Sequence, residues 1–265
     1  MEKRKLNCIY GPVASWRLGT SLGIDILSQK GKACNFDCIY CQLGNKKPCK
    51  NRRKEFVPVA GIIKEVRSLP RLKVDYMTFS GKGEPTLASN LGKAIRSLKK
   101  YGRVSVLTNS ALLSDRKVRK ELGPADFVAA KLDSYSQGSL EKVNRPARGI
   151  TFPSILKGIK QFRREFKGRF GLQVMFIRQN GGNYKEIAGI AADIKPDEVQ
   201  INTPLRPSGG AKPLPKKEIA CIAAYFGRQP GLAKTKIITV YDRKRKKVKP
   251  LNLRDTLKRR GKLLK

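Results

Sequence analysis

The chain alternates between two hydrophobic rhythms. Short β-rich apolar runs end in polar or glycine residues, and segments with apolar positions three and four apart follow them. Residues 22–26 read as a first strand. Residues 59–69 read as a helix, with Val59, Ile62, Ile63 and Val66 on one face. A strand over 76–80 is followed by a helix over 90–100 that groups Leu91, Ala94, Ile95 and Leu98. A strand over 104–108 leads to Ser114, read as the N-cap of a helix running to Leu122. Strands over 127–131, 172–177 and 199–202 complete the series. Helices are expected over 151–166, with Pro153 in the first turn, over 184–194, ended by Lys195-Pro196, and over 215–226, stopped by Gly227.

Six strands, each followed by a helix, argue for an α/β fold with a parallel sheet and right-handed crossovers. The pattern fits an open doubly wound sheet or a partial barrel. In both, chemistry gathers at the C-terminal ends of the strands. Residues 1–230 are expected to form the core domain and residues 231–265 a basic C-terminal extension. That tail departs from the rhythm: residues 243–265 hold twelve Lys or Arg against the single acid Asp255, with Leu253, Leu257 and Leu264 as a narrow apolar stripe. It reads either as a solvated end or as a basic helix that grips phosphates.

Charge sharpens the picture. The 265 residues carry 58 basic and 20 acidic side chains, a net charge of +38. This balance reads either as an unusually basic or thermophilic proteome or, since most cations have no anion to pair with, as the mark of a polyanionic partner, nucleic acid above all. A second basic run, Lys46, Lys47, Lys50, Arg52, Arg53 and Lys54, contains no acid. No apolar run approaches the roughly 20 residues of a membrane span, and no secretory h-region is seen, so a cytoplasmic protein without a membrane partner is expected. The chain has no histidine, which removes Ser-His-Asp and Cys-His hydrolases and histidine-ligated zinc.

Three of the six cysteines crowd into Cys34-Asn-Phe-Asp-Cys38-Ile-Tyr-Cys41, in a loop directly after the first expected strand. Three thiolates at this spacing can bind one iron–sulfur cube, and a cube held by three ligands keeps an iron corner open. The competing assignment is a zinc knot with Cys49 as fourth ligand. Cys8 and Cys221 supply no spacing for a second cluster, and Cys49, among cations, is read as an incidental free thiol.

The segment 31–44, with Tyr40 just before the third cysteine, resembles the signature of the radical S-adenosylmethionine (SAM) superfamily. Tyr10-Gly-Pro-Val, Ser15, Arg17-Leu-Gly and Ser21-Leu-Gly-Ile-Asp25 resemble a subgroup related to the wybutosine-synthesis enzymes of that superfamily. The likeness continues through Ser80-Gly-Lys-Gly-Glu-Pro-Thr86, Leu107-Thr-Asn-Ser110, Lys131-Leu-Asp133, Asn144-Arg-Pro146 and Gln200-Ile-Asn-Thr-Pro-Leu-Arg-Pro207. Two departures stand out. Trp16 occupies a position usually basic in the subgroup, and the common Gly-Gly-Glu appears as Gly-Lys-Gly-Glu.

The resemblance implies a partial (β/α)6 TIM-like barrel and a [4Fe-4S] cluster on Cys34, Cys38 and Cys41. It implies SAM chelated to the open iron and split reductively to a 5′-deoxyadenosyl radical that abstracts hydrogen from the substrate. It also implies a one-electron donor of flavodoxin or ferredoxin type. Gly81, Gly83 and Glu84 would grip the methionine amino group, Tyr40 would lie beside the adenine, and Asn109 and Ser110 would reach the ribose, with Asp133 and Asn202 as further cofactor contacts. Lys131 and Arg145 are candidate catalytic contacts to the substrate. RNA, tRNA in particular, is the expected substrate. A small metabolite, peptide or protein substrate, and a non-catalytic metal-bearing nucleic-acid module, stand as alternatives.

Overall fold

A computed structural model of the protein describes residues 8–44, 52–206, 210–242 and 247–260. Cys49, Lys46, Lys47, Lys50, Pro207, Leu264 and part of the basic tail lie outside the described residues. The described chain forms an eight-stranded sheet with strands in sequence order. An antiparallel hairpin of β1 (Ile9–Ser15) and β2 (Gly19–Ile24) starts it. Parallel strands follow: β3 (Tyr76–Phe79), β4 (Val104–Thr108), β5 (Phe127–Lys131), β6 (Arg169–Met175), β7 (Glu198–Asn202) and β8 (Lys236–Thr239). The sheet curls into an open half-barrel with β1 and β8 as its edges, the partial barrel expected from the resemblance.

The helices α1 (Val59–Arg67), α2 (Leu91–Leu98), α3 (Arg116–Leu122), α4 (Gln137–Val143), α5 (Phe152–Glu165), α6 (Tyr184–Ile194) and α7 (Lys216–Gly227) connect the parallel strands, and α8 (Leu253–Arg260) closes the described chain. The apolar stripe of α2 is fully buried at Leu91, Ala94, Ile95 and Leu98. Each such Leu or Ile contributes about 1.5–3 kcal/mol by leaving water. Thr151 caps α5 by accepting a hydrogen bond from the Ser154 amide, which leaves Pro153 harmlessly in the first turn.

Several elements differ from the sequence expectation, among them α4, a helix it did not include. The N-cap of α3 is Asp115 rather than Ser114, because the Asp115 carboxylate accepts from the Lys117 amide at 2.7 Å. Gly227 is the last residue of α7 rather than its stop. Strand β1 is an addition to the expected set, hidden because Gly11-Pro12 interrupts it. The pairing register shifts between Tyr10 and Val13, and an edge strand tolerates the missing proline donor. Strand β8 falls inside the segment read as a basic extension, yet it pairs with β7 in parallel. Its apolar run is short and flanked by lysines, so charge hides it. Among the described residues no helix is long and apolar enough to cross a membrane.

Candidate active site

The C-terminal ends of the parallel strands open onto a cavity of about 300 Å³. Cys34, Cys38 and Cys41 all line it, as do Tyr40, Gly83, Glu84, Asn109, Lys131 and Asn202. Gly81, Ser110, Asp133 and Arg145 do not line it.

Backbone hydrogen bonds hold the cysteine loop on two sides. Ala33 N–H donates to the Lys82 carbonyl at 2.8 Å, and Glu84 N–H donates to the Ala33 carbonyl at 2.9 Å. On the other side Asp37 N–H donates to the Asn144 carbonyl and Ile39 N–H to the Val143 carbonyl, both at 3.0 Å. The first pair explains Gly83. A Cβ there would stand 1.6 Å from the Ala33 carbonyl oxygen, so only glycine lets the loop dock. Gly81 serves a similar close approach, with its Cβ position 2.5 Å from the Asp25 carboxyl carbon.

Glu84 is buried, and its carboxylate ties the end of β3 to the end of β4. One oxygen accepts from the Thr86 amide (3.1 Å) and from the hydroxyls of Thr86 (2.7 Å) and Thr108 (2.6 Å). The other accepts from the Asn109 amide at 2.6 Å. Burial raises the Glu84 pKa, and these donors oppose the rise. Asn109, positioned this way, donates through its side-chain nitrogen to Asn35 at 2.7 Å and to the Cys34 sulfur at 3.7 Å.

A second network backs Cys38. The Asn144 side-chain nitrogen lies 3.4 Å from the Cys38 sulfur, 3.1 Å from the Tyr40 hydroxyl and 3.0 Å from Asp133. Asp133 is buried and also accepts from the Tyr40 hydroxyl and, at 2.7 Å, from the Met175 amide. Lys131 reaches Asp133 at 3.5 Å and sits 4.8 Å above the Tyr40 ring. Asp133 therefore acts through Tyr40 and Asn144 rather than on the cavity itself. Ser110 is fully buried at a positive φ of 72° and donates to the Lys131 carbonyl at 2.8 Å. The Arg145 side chain stays off the cavity, and its carbonyl accepts from the Asp37 amide at 3.1 Å.

The donor set suits an iron–sulfur cube. Burial raises the Cys34 and Cys38 pKa values, so a bare thiolate there is costly, and a bound metal centre removes that cost. N–H groups already point at two of the three sulfurs, as outer hydrogen bonds to cluster ligands do. Among the described residues no three Cys, Asp or Glu side chains close on one point as ligands of a single ion would. All three cysteines line the same cavity.

Sequence reasoning missed the clasp behind this loop. Arg259 of α8 turns inward and pairs with buried Asp25 at 2.8 Å, and it bonds the Ser28 hydroxyl at 3.2 Å. Its carbonyl accepts from the Gln42 side chain, next to Cys41, at 3.2 Å. The Gly11 amide donates to the Thr256 hydroxyl at 3.1 Å, and the Leu251 amide donates to the Gly11 carbonyl at 2.6 Å. Burial raises the Asp25 pKa, and Arg259 opposes the rise. A run of tail cations carries no signal that one of them faces inward.

A curled half-barrel whose strand ends carry three cysteines, a Gly-Lys-Gly-Glu turn and an asparagine on one cavity defines a class of cofactor-binding barrel. The radical SAM superfamily model matches residues 29–191, more than half of the chain, and the chain belongs to that superfamily. It is 42% identical over 215 residues to the UPF0026 protein slr1464 of Synechocystis sp., covering 79% of this chain and 78% of that protein. In fold it is similar to Streptococcus suis SuiB bound to the precursor peptide SuiA, with TM-score 0.65 and 13% identity, over 84% of this chain and 49% of SuiB. The chain thus spans about half the length of SuiB. TYW1 with a lysine-pyruvate adduct bound is similar at TM-score 0.57 and 17% identity, over 78% of this chain and 72% of TYW1.

Proposed function

We propose that the protein is a radical SAM enzyme that modifies RNA, with tRNA as its substrate. The observation that carries the enzyme reading is the convergence of Cys34, Cys38 and Cys41 with Gly83, Glu84 and Asn109 on one cavity at the strand ends. The cysteines hold a [4Fe-4S] cluster which, with SAM bound, supplies a 5′-deoxyadenosyl radical for hydrogen abstraction. The protein's own residues bind, orient and exclude water. Tyr40, Gly83, Glu84, Asn109 and Asn202 face the cofactor. Gly81 and Ser110 shape the backbone around it, and Asp133 positions Tyr40. Lys131 contacts the substrate from the cavity wall, and Arg145 supports the cysteine loop through its carbonyl.

The RNA half of the reading rests on the net charge of +38, on the basic sequence segments 46–54 and 243–265, and on the wybutosine-type resemblance of the sequence motifs. A one-electron donor of flavodoxin or ferredoxin type completes the reaction, in the cytoplasm.

The test has two arms. Protein reconstituted anaerobically with iron and sulfide, then reduced, is expected to convert SAM to 5′-deoxyadenosine. Colourless protein carrying stoichiometric zinc and making none would overturn the enzyme reading in favour of a non-catalytic module. Mass spectrometry of tRNA nucleosides from cells with and without the gene is expected to show one modified nucleoside missing without it. Identical nucleoside profiles point instead to a metabolite, peptide or protein substrate.

A further inference from the structure

The cavity has a second wall that the cofactor does not explain. Arg17, in the turn between β1 and β2, lines it, together with Arg206 after β7 and Arg260 at the end of α8. Three segments far apart in sequence thus bring three arginines to one opening. The lysines that line the cavity have anions at hand: Lys32 pairs with Asp37 at 2.9 Å and Lys131 with Asp133 at 3.5 Å. Arg17 feels the Glu198 charge, yet its Nε is buried and has no hydrogen-bond partner among the described residues. A buried guanidinium donor left open is expensive, and one that lies on a cavity wall is placed for a ligand, ion or water to complete it.

The turn that carries Arg17 is built to hold it still. The Ser15 hydroxyl accepts from the Arg17 amide at 3.3 Å and from the Leu18 amide at 3.2 Å. Trp16, the only tryptophan in the chain, packs on Ile238 and Val240 near the β8 edge. It also lines the cavity, and the Arg17 guanidinium lies 5.3 Å from its ring centre. Burial lowers the Arg17 pKa to about 10; the charges of Arg260 and Arg206 push it the same way, and Tyr10 and Glu198 oppose them. An anion at this point would oppose that fall and give the Arg17 Nε an acceptor.

We propose that Arg17, Arg206 and Arg260 form a phosphate-binding subsite for a nucleotide substrate, with Trp16 offering an aromatic face beside it. The proposal rests on the enzyme reading above for the reaction, but not for the binding. Guanidinium forks match phosphate oxygens two at a time, and aromatic faces next to arginine suit bases. The phosphate belongs either to an RNA strand or to a free nucleotide.

The test is calorimetric titration of the full-length, reconstituted protein with inorganic phosphate and with AMP, at saturating SAM. Saturable binding is expected, with AMP affinity reduced about tenfold or more in Arg17→Ala, as removal of a hydrogen bond to a charged group predicts. Arg17→Lys should restore only part, because an ammonium lacks the fork. Arg206→Ala should weaken AMP as well, and Lys93→Ala, at an exposed position on α2, should not. With a short labelled single-stranded RNA, Arg17→Ala should flatten the salt dependence by about 0.7 in the log–log slope, the value for one phosphate no longer neutralised. RNA that displaces AMP at lower concentration assigns the strand as the source, and AMP that RNA fails to displace assigns a free nucleotide. Equal AMP affinity in wild type, Arg17→Ala and Arg206→Ala overturns the subsite. So does a drop of SAM affinity in Arg17→Ala without a drop of AMP affinity, since the arginine then serves SAM's carboxylate. Wild-type protein that binds AMP through Arg17 but makes no 5′-deoxyadenosine sinks the enzyme reading alone. Wild-type protein that makes 5′-deoxyadenosine but does not bind AMP sinks the subsite alone.

Discussion

The two walls of the cavity are built on opposite principles. On the wall formed by the ends of β3, β4 and β5, every named polar group has partners inside the protein. Glu84 accepts four hydrogen bonds, Asp133 accepts three and is paired with Lys131, and Asn144 bridges Cys38, Tyr40 and Asp133. On the wall formed by the β1–β2 turn, the segment after β7 and the end of α8, cations gather and the Arg17 Nε is left open. The first wall is finished before any ligand arrives, which suits a cofactor that must be held in one geometry. The second leaves one buried donor, the Arg17 Nε, for a ligand to complete, and that open donor is what a substrate site costs in stability.

Two substitutions probe this contrast, one on each side. Arg259→Ala removes the partner of buried Asp25 and releases the clasp on the cysteine loop. A decrease of about 3–5 kcal/mol in unfolding free energy is expected from urea denaturation, because a buried carboxylate is left unpaired. A decrease well under about 1 kcal/mol, the worth of an ordinary surface pair, would show that the clasp does not hold the cofactor wall. Arg17→Met, by contrast, takes an unsatisfied buried donor out of the second wall and keeps its apolar stem. Stability should stay within about 0.5 kcal/mol of wild type or rise slightly. A large destabilisation would mean that Arg17 is a structural residue and that the two walls do not differ in kind.

Much of the fold was legible in the sequence, and what escaped has a common cause. Strands β2 to β7 and most of their helices announced themselves through apolar periodicity, as α2 does with Leu91, Ala94, Ile95 and Leu98. The cysteine loop was legible because three thiols at fixed spacing in a loop have few other uses. Strands β1 and β8 escaped because they are edges: Pro12 disguises one and flanking lysines the other. Helix α4 escaped because it buries only Leu140 and Val143. Asn144 was visible as part of a motif, but its place behind Cys38 depends on two segments meeting across 106 residues. The Asp25–Arg259 pair spans 234 residues and leaves no local trace.

Three sulfur ligands on a [4Fe-4S] cluster would leave one iron free for SAM. Electron paramagnetic resonance of the reduced, reconstituted protein tests it most directly. A cluster signal that shifts when SAM is added, and that is absent or severely diminished in Cys38→Ala, is the predicted result. A signal that ignores SAM, or that persists unchanged in Cys38→Ala, contradicts it.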